Sequence, residues 1–324
     1  MKVLVIGLDG VPYELLLRLG REGVAPRLAG LTAAGCLRRL RASVPEISAV
    51  GWSDFMTGVD AGTHGVFGFT DLAPGWGRIL FPRFTDLAAP TLWDRLGRRG
   101  LRSVVINQPA TFPARALPGA MVSGFVALDL ERSLHPRRHL AALRRLGYRV
   151  DLDTSRAAVD PEGLLAGLEE SLQARERAAM WFWEEEAWDL FQLVITGTDR
   201  LHHFLWDALT EEDHGLHRRV LAYYGAVDAL VGRLVDRFLE EHPRGAWFVL
   251  SDHGFTRARW EFRVNAWLRE KGYLRRRRGK GEGLAGVDPE SPVLALDPGR
   301  LHFRGTPAPA LVEEVAAALR EVLA

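Results

Sequence analysis

Four residue groups in this chain have the right types and spacing for metal chemistry. Asp9 is flanked by Leu8 and Gly10, directly after the apolar run Val3–Leu8. Thr196-Gly197-Thr198-Asp199 follows Leu190–Ile195, with His203 four residues beyond Asp199. Ser251-Asp252-His253-Gly254 follows Trp247–Leu250. Asn107-Gln108-Pro109 follows Ser103–Ile106. If each run is a strand of one open parallel sheet, their carboxyl ends line a common crevice. Asp9, Asp199, Asp252 and His253 then share one rim, and carboxylates crowded together repel unless cations hold them. Residues i and i+4 of a helix share a face, so Asp199 and His203 can hold one ion together, whereas His202 points elsewhere. Carboxylate with imidazole suits zinc, manganese or iron better than calcium. Taken singly, each motif has an ordinary explanation: a helix cap or sugar contact for Asp9, a satisfied histidine for His203, a turn for Asp252-His253-Gly254. Their recurrence at successive strand ends is what favours metal.

A nucleophile is available in Val44–Gly58, an uncharged stretch running into a helical pattern. Ser48 is placed to cap that helix, whose positive end favours phosphate. An ordinary capping serine fits the segment equally well. A serine hydroxyl is a weak nucleophile at neutral pH, and metal coordination would lower its pKa.

The elements that must position these residues are legible as a rhythm. Short apolar runs read as strands covered on both faces. Helical stretches alternate with them: Val11–Leu19, Ala89–Arg99, Pro161–Glu185 and Leu216–His242, with a final one at Ala308–Leu323. This alternation predicts a doubly wound α/β fold. Ala110–Arg156, rich in Pro, Arg and Leu, breaks the rhythm and is expected to be an insertion or cap over one sheet edge. Leu274–Gly283 carries Arg275-Arg276-Arg277-Arg278 and Lys280, and charge runs of this kind usually mark a solvated hairpin tip rather than an anion site.

Bulk properties narrow the class. The 324 residues allow one large α/β domain or two ordinary ones. A 47% hydrophobic and 26% charged composition is that of a soluble globular protein. Lys+Arg of 42 against Asp+Glu of 41 gives no whole-protein reason to expect a nucleic-acid or membrane partner. The single Cys36 excludes an internal disulfide and a cysteine-based zinc site, and is expected to be a small buried hydrophobe. The apolar run at the N-terminus is too short for a signal peptide and is broken by Asp9, so a cytoplasmic location is expected.

The order Asp9, Ser48 before Trp52 and Thr57-Gly58, His64-Gly65, Asp199-x-x-x-His203 and Asp252-His253-Gly254 resembles the alkaline phosphatase superfamily. Within it the chain is most similar to the type I phosphodiesterase/nucleotide pyrophosphatase family, from Met1 to about Leu274, with Ile106–Pro109 and Val264–Leu268 as further shared features. The resemblance implies a three-layer α/β sandwich forming one catalytic domain. It implies two divalent ions, commonly zinc, with manganese or iron as alternatives. Asp9, Ser48, Asp252 and His253 would hold one ion. Asp199, His203 and a later histidine would hold the other, and His302 is the only histidine after His253. Ser48 stands where the family has a nucleophilic threonine. The asparagine that steadies a phosphate oxygen in nucleotide pyrophosphatases is replaced by Phe69, leaving Asn107 as a candidate substrate contact. His64 is expected to tie down the loop behind the nucleophile. The implied activity is hydrolysis of a small-molecule phosphate ester, a diester or nucleotide pyrophosphate, through a phosphoseryl intermediate. A phosphomonoesterase, or a non-catalytic binding protein with a degraded site, are the alternatives. A sulfatase lacks support because no Cys/Ser-x-Pro-x-Arg surrounds Ser48. A phosphoglycerate mutase would carry a larger insertion than Ala110–Arg156.

Overall fold

The computed structural model describes every residue except Leu128, Glu282, Pro298 and Ala324. Leu128 falls inside the expected cap and Glu282 inside the basic stretch, so both lie outside the described residues. The chain forms two compact units, Met1–Gly68 with Arg83–Arg257, and Phe69–Pro82 with Ala258–Ala324.

The strands in chain order are β1 Val3–Leu8, β2 Asp71–Leu72, β3 Ile79–Leu80, β4 Ser103–Gln108, β5 Gly119–Ser123, β6 Leu134–His135, β7 Leu190–Ile195, β8 Ala246–Leu250, β9 Val293–Ala295 and β10 Leu301–Phe303. The helices are α1 Tyr13–Arg21, α2 Pro26–Ala34, α3 Ser48–Thr57, α4 Ala61–His64, α5 Leu92–Gly97, α6 Leu140–Arg145, α7 Pro161–Glu185, α8 Gly197–Thr210, α9 His217–Glu241, α10 Val264–Glu270 and α11 Pro309–Leu323.

The larger unit holds a six-stranded sheet in the order β6-β5-β4-β7-β1-β8. Pairing is parallel throughout except between β5 and β6. Both faces are covered, as the continuous apolar runs require. Side chains alternate along each strand, so Val104 and Ile106 of β4 enter the large core with α7, α8 and α9. Val105 between them joins Met56 of α3 and Trp93 of α5 on the opposite face. Because β1, β4, β7 and β8 run parallel, their carboxyl ends open on one rim.

Three expectations are corrected. Ala110–Arg156 supplies part of the sheet rather than a cap: its 119–123 stretch is the fully buried β5, paired to β4, and β6 forms the edge. Its Pro and Arg content masked a strand only five residues long. The β8 run is an edge strand, covered on one side only, with Phe248 54% exposed. Apolar residues on so short a strand do not report whether a neighbour pairs on each side. Cys36 is exposed, because it follows α2 in an irregular segment outside the core.

The smaller unit pairs β2 with β3 and β9 with β10, both antiparallel. Trp76, Trp267, Leu268, Leu274, Val293 and Val315 form its core. An antiparallel bridge between Arg276 and Val287 makes the basic stretch a hairpin, with Arg275, Arg277, Arg278 and Lys280 exposed. Among the described residues, no helix is long and apolar enough to cross a membrane.

One packing contact ties the sheet to the site. A side chain at Gly7 of β1 would overlap the Trp52 ring of α3. Gly7→Ala is therefore expected to destabilise by ~1–3 kcal/mol, the usual range for overpacking a filled interior. Urea unfolding of the purified variant measures this. An unchanged midpoint would mean the ring can move aside freely.

Candidate metal centre

The site is assembled at the sheet rim from the ends of β1, β7 and β8 and the start of α3. β1 delivers Asp9, whose backbone N–H bonds the carbonyl of Ile195 (3.1 Å). The chain then turns at Gly10, with φ of 67°. Glycine is required here twice over: the left-handed backbone disfavours a side chain, and a Cβ would come within 2.8 Å of Asp199 Oδ1. The turn lets the Gly10 N–H donate to Asp252 Oδ1 (3.2 Å) and the Val11 N–H to Ser251 Oγ (2.9 Å). Thr198 Oγ1 donates to the Asp9 carbonyl (2.6 Å), linking the starts of the β1 and β7 loops.

Ser48 is the first residue of α3, and Ile47 rather than Ser48 occupies the capping position. The serine hydroxyl is thus free to face the cluster. Its Oγ lies 2.9 Å from His253 Nε2 and 3.2 Å from Asp9 Oδ1. His253 Nδ1 sits 2.7 Å from the Gly254 carbonyl, which fixes the proton on Nδ1 and leaves Nε2 with a lone pair. One ligand atom each from Asp9, Asp252 and His253 lie within 4.8 Å of one another. Trp52 Nε1 donates to Asp9 Oδ2 (3.1 Å) and orients that carboxylate.

Asp199 and His203 share a face of α8, with Oδ2 and Nε2 3.5 Å apart. The helix begins at Gly197 with Thr196 in the N-cap position, two or three residues earlier than a cap at Thr198 or Asp199 would place it. His203 is 54% exposed while Asp199 is buried. His202 points inward, where its Nε2 meets the Tyr224 hydroxyl (2.5 Å) and burial drops its pKa to about 3.

The electrostatics suit a cation. Burial, followed by the nearby charges of Asp252 and Asp199, pushes Asp9 well above the usual carboxylate range, against the bonds from Trp52 and Ser48. Asp252 is also raised, first by burial, with His253 and the Gly10 N–H opposing. Asp199 Oδ1 and Asp252 Oδ2 are buried without a hydrogen-bond donor. Orphaned carboxylate oxygens beside an imidazole lone pair are a donor set that fits divalent ions.

The structure therefore brings together Asp9, Ser48, Asp252 and His253, and pairs Asp199 with His203. His302 lies on β10 of the smaller unit, with Nδ1 3.8 Å from Asp71 Oδ1 and Nε2 buried without a partner. Asn107 is corrected as a substrate contact. It is fully buried, its Nδ2 donating to the Val194 carbonyl (2.8 Å) and Thr196 Oγ1 (3.2 Å), so its amide is consumed inside the fold. His64 is buried behind α3, Nε2 2.7 Å from Asp54 Oδ1, and ties down the following loop by accepting the Val66 N–H at Nδ1. The role of Trp52 as a second-row support for Asp9 has no local sequence signal; only the packing of α3 on Gly7 reveals it.

The chain is a mixed α/β protein whose mostly parallel central sheet carries a carboxylate–imidazole cluster and a serine at its carboxyl rim. The chain belongs to the type I phosphodiesterase / nucleotide pyrophosphatase family, which matches residues 3–324. Two solved structures of phosphonoacetate hydrolase from Sinorhizobium meliloti 1021 share the fold. The complex with phosphonoformate is 18% identical, with a TM-score of 0.55 over 83% of this chain and 62% of that one. The complex with phosphonoacetate is 17% identical, with a TM-score of 0.56 over 87% and 65%. This chain thus spans under two thirds of the length of those structures. No curated protein matches the sequence significantly.

The raised Asp9 pKa makes a prediction for the metal-free protein. The folded chain keeps a proton on Asp9 to higher pH than the unfolded chain does. The resulting stability is fully present below the ordinary carboxylate pKa and is lost as pH rises through the raised Asp9 value. After chelation, the thermal midpoint is expected to fall across that window. With zinc present it should rise instead, because the ion binds ionised carboxylates. Identical profiles with and without metal would remove the case for carboxylate crowding.

Proposed function

We propose that this protein is a two-metal hydrolase of phosphate esters in which Ser48 is the nucleophile. The observation that carries this reading is the placement of Ser48 Oγ between Asp9 Oδ1 and His253 Nε2, at the first turn of α3. Asp9, Asp252 and His253 would hold one divalent ion beside the serine, and Asp199 with His203 would hold a second. Such ions supply positive charge that lowers the serine pKa and offsets charge developing on phosphoryl oxygens.

The chain's own contributions follow from the geometry. Trp52 and the Gly10 N–H hold Asp9 and Asp252 in fixed orientations. The α3 N-terminus favours an anionic phosphoryl group next to Ser48. Ser48 Oγ attacks phosphorus and loses its proton to solvent, while the bond to the leaving oxygen breaks and that oxygen takes up a proton. Water then displaces the Ser48 oxygen from phosphorus, its hydroxyl staying on the released product (a monoester when the substrate is a diester) and its other proton restoring the Ser48 hydroxyl.

Family membership supports phosphodiesters or nucleotide pyrophosphates as substrates. The phosphonoacetate found in the similar hydrolase belongs in the same test panel. Zinc leads among the candidate metals on the family resemblance, and the donor set suits manganese and iron as well. A small-molecule substrate rather than a nucleic acid accords with the balanced charge of +1.

The test pairs metal analysis with turnover of a chromogenic phosphodiester, a phosphomonoester and phosphonoacetate. Diester hydrolysis dependent on zinc is expected. Ser48→Ala should lower kcat by at least ~10³-fold, as loss of a nucleophile usually does, with metal content largely retained. An active Ser48→Ala protein would sink the nucleophile assignment. Absence of both metal and hydrolysis would instead favour a binding protein.

A further inference from the structure

Arg175, midway along α7, is 3% exposed, and a guanidinium keeps its proton in any protein interior. Its hydrogen-bond acceptors are all neutral: Ser171 Oγ (2.8 Å), the Val150 carbonyl (3.1 Å) and Asn107 Oδ1 (3.3 Å). Among the described residues no carboxylate forms an ion pair with it. A buried charge without a counter-ion is costly, so its place in the interior needs a compensating role. Tyr148 and Tyr223 report that the charge is felt there: burial raises both hydroxyl pKa values, and Arg175 opposes the rise in each.

The contacts lead from Arg175 to the rim. Asn107, the penultimate residue of β4, has φ of 61°, a left-handed conformation that asparagine tolerates better than most residues. That turn aims its Nδ2 at the Val194 carbonyl and Thr196 Oγ1, while Arg175 fixes its Oδ1. Thr196 caps α8. The next residue, Gly197, packs so closely on the Tyr223 hydroxyl that no Cβ would fit. Thr198 is bonded to the Asp9 carbonyl. Asp199 follows directly. The first turn of α8 is thus held at every residue that precedes Asp199.

We propose that Arg175, acting through Asn107 and Thr196, is a positioning residue that fixes the start of α8 so that Asp199 and His203 converge on one divalent ion. This rests on reading those two residues as ligands. Lysine at 175 would keep the charge but lose the planar fork, in which Nη2 reaches Asn107 and Val150 while Nη1 is held by Ser171.

Zinc titration of the chelated, full-length protein by calorimetry, with metal content and thermal midpoint alongside, tests the proposal. The wild type is expected to show two binding events, and Asp199→Asn identifies which belongs to α8. Arg175→Met and Thr196→Val should weaken that event about 10–100-fold, the usual effect of disturbing a group that orients a metal ligand. The other event should be unchanged, and Arg175→Lys should recover part of the loss. A merely structural role would lower the midpoint without this site selectivity. Two wild-type events with both unaffected, or equally weakened, in folded Arg175→Met overturn the relay alone. Fewer than two wild-type events overturn the two-ion reading and the proposal with it. Should Arg175→Met fail to fold, Thr196→Val decides by the same comparison.

Discussion

Three carboxylates, Asp9, Asp199 and Asp252, are brought to one end of a sheet and largely shut away from water. Like charges in such a place repel, and burial penalises each of them further. Asp9 registers the strain as a strongly raised pKa, and two oxygens of the group have no donor to satisfy them. Protein groups alone do not resolve this. His253 offers a lone pair rather than a proton to the cluster, and the Gly10 N–H reaches only one oxygen of Asp252. The arrangement becomes favourable when positive charge is supplied, and much of the surrounding structure can be understood as holding it ready for that.

The fold meets the constraint with rigid parts. Parallel strands bring residues far apart in sequence to one rim without long loops. Gly7 and Gly10 act where space is shortest. The first admits the Trp52 ring against β1, and the second lets the chain pass within reach of Asp199. Trp52 then returns a hydrogen bond to Asp9, so one helix supplies both the serine and the support for a neighbouring carboxylate. On the other side, the Asp9 carbonyl, Tyr223 and Asn107 hold the start of α8 from separate elements.

The groups able to do chemistry are therefore concentrated in one small region built on a widely used scaffold. The fold alone would not assign an activity. Membership of the type I phosphodiesterase / nucleotide pyrophosphatase family and the geometry around Ser48 point the same way, toward phosphoryl chemistry. The low identity to the phosphonoacetate hydrolase structures leaves room for a different substrate on the same frame.

Much was legible in the residues themselves. Buried parallel strands advertise themselves as apolar runs, and a strand end followed at once by Asp, Asp-His or Gly-Thr-Asp is a local pattern. Four runs, the helices between them, and the candidate ligands Asp9, Asp199, His203, Asp252 and His253 could be named for that reason. Covalent continuity fixes where a side chain leaves its strand. What surrounds that side chain depends on pairing between distant segments, and that is not encoded locally. Hence β5 was hidden in a Pro- and Arg-rich stretch, β8 proved to be an edge, and Cys36 proved exposed. Asn107 shows the division most clearly. Its position after the apolar run Ser103–Ile106 marked it as a rim residue, but a left-handed turn and a buried arginine from α7 turn its amide inward. Sequence determined which chemical groups reach the rim, because strand ends deliver them; tertiary structure decided which of them face the site, because that depends on what packs behind.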